Sequence, residues 1–232
     1  FRRDVVSVDT SQFTTDKLAE REARHKRMGD SRYVVEPNLK EGKGGLRDLH
    51  TLFWIGKYAY QVDSPAELVD KGLLTPAELL QFERAENFLW AVRINLHDLM
   101  GRAEERLTFD VQRELAQRLR YASRNGMSSV ERFMRHYFLI AKQVGDLTGL
   151  FLSHLEESFA KRRTRWRLPT LTRKPRGLGA FTLVRGRIGV PHDDFFREQP
   201  LRLIELFHVA DKQGLAIHPL ALRQAGRDAG LI

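Results

Sequence analysis

Apolar residues recur at helical intervals along much of this 232-residue chain. From Leu46 to Tyr60 they fall three or four positions apart, which places them on one face of a helix. A longer pattern runs from Thr75 to Gly101. It opens with Thr75 and Glu78 at the spacing of a capping box, with Pro76 at the first helical position. Both segments are predicted to be helices that pack through their apolar faces.

The longest apolar stripe follows a second capping-box spacing, Ser128 with Glu131, and continues to Phe159. Shorter helices are predicted near residues 15–28 and 109–121. Long helices joined by short connections are typical of antiparallel bundles. The predicted fold class is therefore mainly α, an antiparallel helical bundle.

Two stretches have the composition of strands instead. Residues 31–39, SRYVVEPNL, contain three β-favouring residues, and their Pro37 is tolerated near the end of a strand. Residues 180–191, AFTLVRGRIGVP, place two short apolar runs on either side of a glycine turn, which predicts a small β-hairpin. Helical patterns over residues 200–214 and 218–230 close the chain.

The net charge of +9 comes from one stretch of the chain. Residues 158–192 contain ten Lys or Arg and no Asp or Glu, whereas the remainder has 29 basic and 30 acidic residues. Such a patch can contact the phosphates of a nucleic acid or nucleotide, an acidic face of a partner, or another domain. Arg162, Arg163 and Arg165 are the candidate partner-binding residues, and a solvated basic helix end is the alternative.

Composition excludes several classes of protein. The absence of Cys rules out disulfides and thiolate metal sites, and no apolar run reaches the ~18 residues of a membrane span. No secretory signal opens the chain, so a cytoplasmic protein with no membrane partner is expected. The chain begins at Phe1 rather than Met, and we expect it to be a piece of a longer protein.

No self-sufficient catalytic motif is found. Gly42 and Lys43 lack the other residues of a Walker loop, and no D-x-D pair is present to hold a divalent cation. His192, Asp193 and Asp194 would need further ligands to form a metal site. Metal-dependent chemistry is therefore expected to be incomplete within this chain.

Residues 36–47, EPNLKEGKGGLR, suit a phosphate ligand. Alternate strand positions would present a carboxylate, an amide and an ammonium on one face. Two adjacent glycines would free backbone N–H groups at the positive end of the next helix, beside further cations. The residues concerned are Glu36, Asn38 and Lys40 on the strand, Gly44 and Gly45 at the helix start, and Lys43 and Arg47 next to them. The alternative is a glycine turn that only packs the strand against the helix.

Three stretches resemble a known family. Residues 33–55, YVVEPNLKEGKGGLRDLHTLFWI, closely resemble a signature of the bifunctional PII uridylyltransferase/uridylyl-removing enzymes. Residues 92–121 are similar to the later pattern of that family, which here consists of Arg93, Leu96, His97, Arg102, Leu107, Phe109 and Gln112. Residues 200–223 resemble the segment just before the family's hydrolytic domain. Lys43 departs from the pattern, which has a proline or another small residue at that position.

The resemblance implies an enzyme that transfers UMP from UTP to a tyrosine of the nitrogen-signalling protein PII. Another domain would remove the UMP, with glutamine as the effector and Mg²⁺ or Mn²⁺ as the cofactor. Because the G-S and D-x-D motifs and the hydrolytic domain of the family are not in this chain, the isolated segment is expected to be inactive.

Family order also implies a domain organisation. Residues 1–45 would be the C-terminal end of a nucleotidyltransferase α/β domain, which would include the strand at residues 31–39. Residues 46–165 would form the helical bundle. Residues 166–232 would form a basic linker, the hairpin and closing helices that lead to the hydrolytic domain.

Candidate roles follow from this interpretation, although the family match does not itself fix them. Glu36 would be a further carboxylate near the metal and nucleotide, and Lys40, Lys43 and Arg47 would lie near the triphosphate. Arg93 and His97 are one turn apart on one helix face. They would either face the nucleotide cleft or join a buried polar network.

Three functional hypotheses result. In the leading one, the helical domain closes over the nucleotidyltransferase site and positions UTP or PII. In the second, the basic patch docks PII or another domain without touching nucleotide. The third is a nucleic-acid-binding helical domain, which gains no support from the family resemblance.

Overall fold

The computed structural model describes residues 10–164, 177–184 and 186–231, with the backbone alone at residues 10–11 and 156–164. The described helices are α1 (Thr10–Arg27), α2 (Leu46–Tyr60), α3 (Glu67–Asp70), α4 (Pro76–Met100), α5 (Phe109–Arg118), α6 (Ser129–Thr164), α7 (Phe195–Glu198), α8 (Arg202–Gln213) and α9 (Pro219–Asp228), followed by a 3-10 turn at Ala229–Leu231. The strands are β1 (Thr182–Val184) and β2 (Arg187–Gly189). The prediction of a mainly α fold with a small hairpin is confirmed, and the antiparallel order of the bundle helices stays a prediction.

Both predicted capping boxes are present. The Thr75 hydroxyl accepts the Glu78 backbone N–H at 3.3 Å, and the Glu78 carboxylate accepts the Thr75 N–H at 2.8 Å. At the start of α6, Ser128 and Glu131 exchange the same two hydrogen bonds, at 3.2 and 2.6 Å. These reciprocal bonds satisfy backbone donors that the first helical turn leaves free, and so they fix where both long helices begin.

The two long helices supply much of the described core of the first 151 residues. On α4 the fully buried positions alternate at three- and four-residue steps: Phe82, Ala85, Leu89, Val92 and Leu96. On α6 the buried stripe includes Phe133, Tyr137, Ala141, Val144 and Leu147. Helix α1 packs on α2, and α2 packs on α4. The apolar periodicity therefore located the core faces correctly, because burial follows the 3.6-residue turn of the helix.

The predicted strand at residues 31–39 is wrong. The segment makes one isolated bridge, between Asn38 and Arg106, with backbone bonds from Leu39 N–H to Glu105 O and from Leu107 N–H to Pro37 O. Pro37 has no N–H to extend the pairing. The Asn38 side chain then accepts the N–H groups of Lys40 and Glu41 at 3.0 and 2.7 Å, which turns the chain immediately.

The predicted hairpin is confirmed. Strand β1 pairs antiparallel with β2, with Leu183 opposite Ile188. Ile188 is fully buried and also exchanges backbone bonds with Ala216 and His218, so the hairpin is tied to the segment before α9. The core around it comprises Leu178, Phe181, Ile188, Phe195, Phe196, Leu203, Leu206 and Ala225.

The described chain forms two compact units, which divide between Phe151 and Leu152, inside α6. This division differs from the predicted boundaries after residues 45 and 165. The described residues before α2 belong to the same unit as α2 to α5. The assignment of residues 1–45 to the end of a nucleotidyltransferase domain stays a prediction. None of the helices in the described parts of the chain is long and apolar enough to cross a membrane.

Candidate functional site

The glycine turn before α2 uses its own backbone donors. The Gly44 N–H donates to the Asp48 carboxylate at 2.9 Å, and the Gly45 N–H donates to Gly42 O at 2.9 Å. The next two N–H groups, of Leu46 and Arg47, donate to carbonyls within the same turn. The free donors expected at this helix N-terminus are therefore occupied, and nucleotide binding by Gly44 and Gly45 stays a prediction that this geometry does not favour.

Close packing explains why glycine stands at these positions. Gly44 has φ +84°, and a Cβ there would lie 2.4 Å from the carbonyl oxygen of Ala141 on α6. A Cβ at Gly45 would lie 2.6 Å from Leu39 O. Both contacts are with backbone, which cannot move aside as a side chain can. The turn therefore matches the packing alternative inferred from the sequence, with α6 as a further packing partner.

Beneath this turn lies a buried ionic cluster that the sequence reasoning missed. Asp48, on α2, is fully buried and accepts from Arg21, Arg24 and His25 of α1. Arg21 Nε lies 3.2 Å from its carboxylate, and His25 Nε2 lies 2.9 Å from both of its oxygens. The available signal was an aspartate on the otherwise apolar face of α2 and three basic residues at i, i+3 and i+4 on α1.

Two opposing effects set the pKa of Asp48. Burial raises the pKa of this carboxyl, because the charged form loses its hydration. The His25 hydrogen bond, the Arg21 charge and the Gly44 N–H outweigh burial and lower the pKa from 3.8 to about 2. Asp48 is therefore ionised at neutral pH and joins α1, α2 and the glycine turn.

Three of the predicted site residues meet in a cleft of about 300 Å³. Glu36, Asn38 and Lys43 line it. Its other lining residues include Arg27, Arg32, Arg106 and Tyr137. The structure thus brings part of the predicted phosphate-binding stretch together with cations from distant parts of the sequence.

The predicted carboxylate of the site has structural partners. Glu36 accepts the Phe109 backbone N–H at 3.0 Å, at the start of α5, and lies 3.4 Å from Arg106 Nη2. A carboxylate at a helix N-terminus is stabilised by the helix dipole. Lys43 donates to the Asp30 carboxylate at 2.9 Å. A catalytic role for Glu36 stays a prediction, beside this capping role.

Three other predicted residues surround His50. Burial lowers the pKa of His50 first, and the positive charges of Arg47, Arg93 and Lys40 lower it further. The two arginines stack on tryptophans, with Arg47 Cζ 5.8 Å from the Trp54 ring centroid and Arg93 Cζ 5.0 Å from that of Trp90. The ring centroid of His50 lies 6.0 Å from that of Trp54 and 6.3 Å from that of Trp90. We call Lys40, Arg47, His50, Trp54, Trp90 and Arg93 the His50 cluster.

Arg93 and His97 share a helix face, as their spacing predicts, and both approach Glu105. Arg93 donates to both oxygens of that carboxylate at 2.6 to 2.9 Å, which raises the pKa of Arg93. His97 Nε2 lies 3.5 Å from Glu105 Oε1. This arrangement matches the polar-network alternative, and nucleotide contact by these residues stays a prediction.

The remaining predictions concern the basic patch and the metal. Arg165 lies outside the described residues, and only the backbone of Arg162 and Arg163 is described. Over the described ranges, no three His, Cys, Asp or Glu side chains come close enough to hold a metal ion. Glu36 accepts the Phe109 N–H and lies 3.4 Å from Arg106, and a role for it beside Mg²⁺ or Mn²⁺ stays a prediction.

Comparison with known proteins identifies the family. A family model described as GlnD PII-uridylyltransferase matches residues 12–152. A relative from Novosphingobium aromaticivorans is 56% identical over the whole chain, one from Erythrobacter litoralis 54%, and one from Bradyrhizobium diazoefficiens 50%. Each is named bifunctional uridylyltransferase/uridylyl-removing enzyme, and this chain covers 25 to 26% of its length. No solved structure matches the chain. The chain belongs to the PII-uridylyltransferase family.

Proposed function

We propose that this chain is part of an enzyme that transfers UMP from UTP to a tyrosine of PII and removes it again through another domain. The first compact unit would help to position UTP or PII at the transfer site. The observation that carries this proposal is that the family match, residues 12–152, coincides with the first unit, which ends at Phe151. That unit also contains every candidate residue from Glu36 to His97.

The His50 cluster supplies the chemistry that a nucleotide requires. Transfer of UMP releases the other two phosphates of UTP, so cations that neutralise the phosphates lower the barrier. Lys40 has no ion-pair partner among the described residues, whereas Arg47 and Arg93 are paired with Glu41 and Glu105. Lys40 is therefore the cation of the cluster most available to a phosphate, and Trp54, 39% exposed, offers a surface for the base.

The other parts of the reaction lie in the longer protein. The metal ion, Mg²⁺ or Mn²⁺, would be held mainly by residues of the preceding nucleotidyltransferase domain. Glutamine would act through further domains. This chain covers about a quarter of the relatives' length. Within the longer protein it would contribute side chains that orient the nucleotide or PII.

Replacing Lys40 in the full-length enzyme tests the proposal. In Lys40→Gln we expect the KM for UTP to rise roughly tenfold in UMP transfer, because a charge-assisted contact contributes about 1.5 kcal/mol. Uridylyl removal should be unchanged, since it uses another domain. Lys71→Gln, an exposed lysine at the end of α3, is the matched control. An unchanged KM for UTP, or an equal loss of both activities, would count against the proposed role.

A further inference from the structure

The cleft that contains Glu36, Asn38 and Lys43 has a strongly positive lining. Its cationic residues are Arg27 from α1, Arg32 and Lys43 from the segments that follow, and Arg106 from the segment before α5. Among the described lining residues Glu36 is the single carboxylate, and it is paired with Arg106. Cations that converge in this way repel one another unless an anion neutralises them.

Three of the four cations are held by carboxylate partners, Arg106 by Glu36 and the other two as follows. Arg32 lies across Gly145 of α6, with its Nη1 3.5 Å from Lys142 O and 3.6 Å from the Asp146 carboxylate. Lys43 is positioned by the Asp30 carboxylate and carbonyl. Arg27 has no ion-pair partner within the described ranges. The described lining thus carries four cations and one carboxylate, while Asp146 and Asp30 pair with Arg32 and Lys43 from outside the lining.

Tyr137 adds an independent observation. The residue is 1% exposed and lines the cleft, where its phenol is a further hydrogen-bond donor. Burial raises the pKa of Tyr137, so the phenol remains protonated and can donate. Because Tyr137 shares the cleft lining with the cations, its hydroxyl could donate to an oxygen of the same ligand.

We propose that this cleft binds the phosphate group of a small phosphorylated ligand, with Arg27, Arg32, Lys43 and Arg106 neutralising the phosphate and Tyr137 donating to it. A phosphate brings about −1.5 to −2 charges and three strong acceptors, which match several cations and one hydroxyl better than a single carboxylate does. The volume, about 300 Å³, is at the lower end of the roughly 300–1,000 Å³ of ligand sites. The site is separate from the proposed UTP contact of Lys40, which does not line the cleft.

Hydrogen exchange of the full-length enzyme, followed by mass spectrometry, tests the proposal without an activity readout. Inorganic phosphate, tripolyphosphate and UTP are added separately, and exchange is followed in peptides covering residues 27–43. We expect slower exchange with at least one of these probes. The half-saturating concentration should rise roughly tenfold in Tyr137→Phe, which removes one hydrogen bond to a charged group, and at least as much in Arg27→Gln.

Matched controls separate ligand binding from folding. Tyr33→Phe and Arg113→Gln make the same chemical changes at exposed residues that do not line the cleft, and they should leave protection unchanged. Arg27→Gln, at an exposed residue, keeps the test available if Tyr137→Phe fails to fold. No protection by any of the three probes, or protection that survives both cleft variants, would overturn the proposal. If the cleft variants lose the ligand-dependent slowing of exchange while their rate of UMP transfer is unchanged, the phosphate site is independent of the transfer site.

Discussion

At the scale of single residues, the carboxylate of Asp48 is the centre of a buried ionic cluster in the first unit. It is fully buried, it accepts from three basic side chains and one backbone N–H, and it joins α1 to the glycine turn. Burying an ion pair costs desolvation free energy. Removing one partner costs more, because the other charge then stays buried without a counter-ion. Asp48 is therefore a position where charge, rather than apolar packing, decides the local structure.

Asp48→Asn should destabilise the protein by about 3–5 kcal/mol at neutral pH, because Arg24 and His25 would remain buried without their counter-ion. The folded-state pKa of Asp48 is depressed, so its stabilisation is present above the unfolded value of 3.8 and is lost as the pH falls towards about 2. This difference in pKa corresponds to about 2 kcal/mol. The stability gap between wild type and variant should therefore narrow as the pH falls through this window.

Urea unfolding at a series of pH values measures both effects. Asp98→Asn is the control, since its carboxylate pairs with Arg118 but is 75% exposed, and a surface pair contributes at most about 1 kcal/mol. A gap between wild type and Asp48→Asn that stays constant from neutral pH down to about pH 3 would contradict the assigned pKa.

At the scale of elements, close backbone packing connects the glycine turn to α6. Gly44 approaches Ala141, and the Arg32 side chain lies across Gly145 one turn further along α6. The two glycines have different roles. Gly44 meets immovable backbone, whereas Gly145 meets the end of a long side chain that can move.

Gly44→Ala should be strongly destabilising. The positive φ alone costs about 1–3 kcal/mol for a residue with a Cβ, and the 2.4 Å approach to Ala141 O adds to it. Gly126→Ala is the matched control, because Gly126 has φ +77° and no atom lies within 4 Å of the position that its Cβ would take. The difference between the two variants in chemical denaturation isolates the contact with α6. Equal losses of stability would show that this contact is unimportant.

Gly145→Ala should weaken ligand binding in the cleft more than it lowers the stability of the fold. Alanine is favoured over glycine inside a helix by about 0.5–1 kcal/mol, but its Cβ would lie 2.7 Å from the Arg32 guanidinium and displace it. We expect little loss of thermal stability and weaker phosphate protection in the cleft. Gly149→Ala lies one turn further along α6, with no atom within 4 Å, and should leave protection unchanged. Protection equal in both variants would show that Arg32 does not bind the ligand.

At the scale of the whole molecule, the family match and the architecture agree. The matched residues, 12–152, correspond to the first compact unit, and the relatives are about four times longer than this chain. The first unit is thus the part that the family model matches, whereas the proposed catalytic cycle would need the longer protein.

Much of the fold was predictable from local sequence. The capping boxes at Thr75 and Ser128 use residues three positions apart, and each apolar stripe needs only its own helix to be recognised. The strand at residues 31–39 could not be judged locally, because its pairing depends on residues 105–107. Composition favoured a strand there, but Pro37 and the Asn38 turn limit the pairing to one bridge.

The sequence by itself determined most of the helices, the hairpin and the family, because caps, periodicity and motifs act between near neighbours. Only the tertiary structure decided which predicted residues meet. It placed Lys43 in a cleft with Arg106 and Tyr137, Lys40 and Arg93 near enough to His50 to lower its pKa, and Asp48 against α1. These contacts join residues tens of positions apart. Their geometry depends on how the helices pack, which local sequence patterns do not predict.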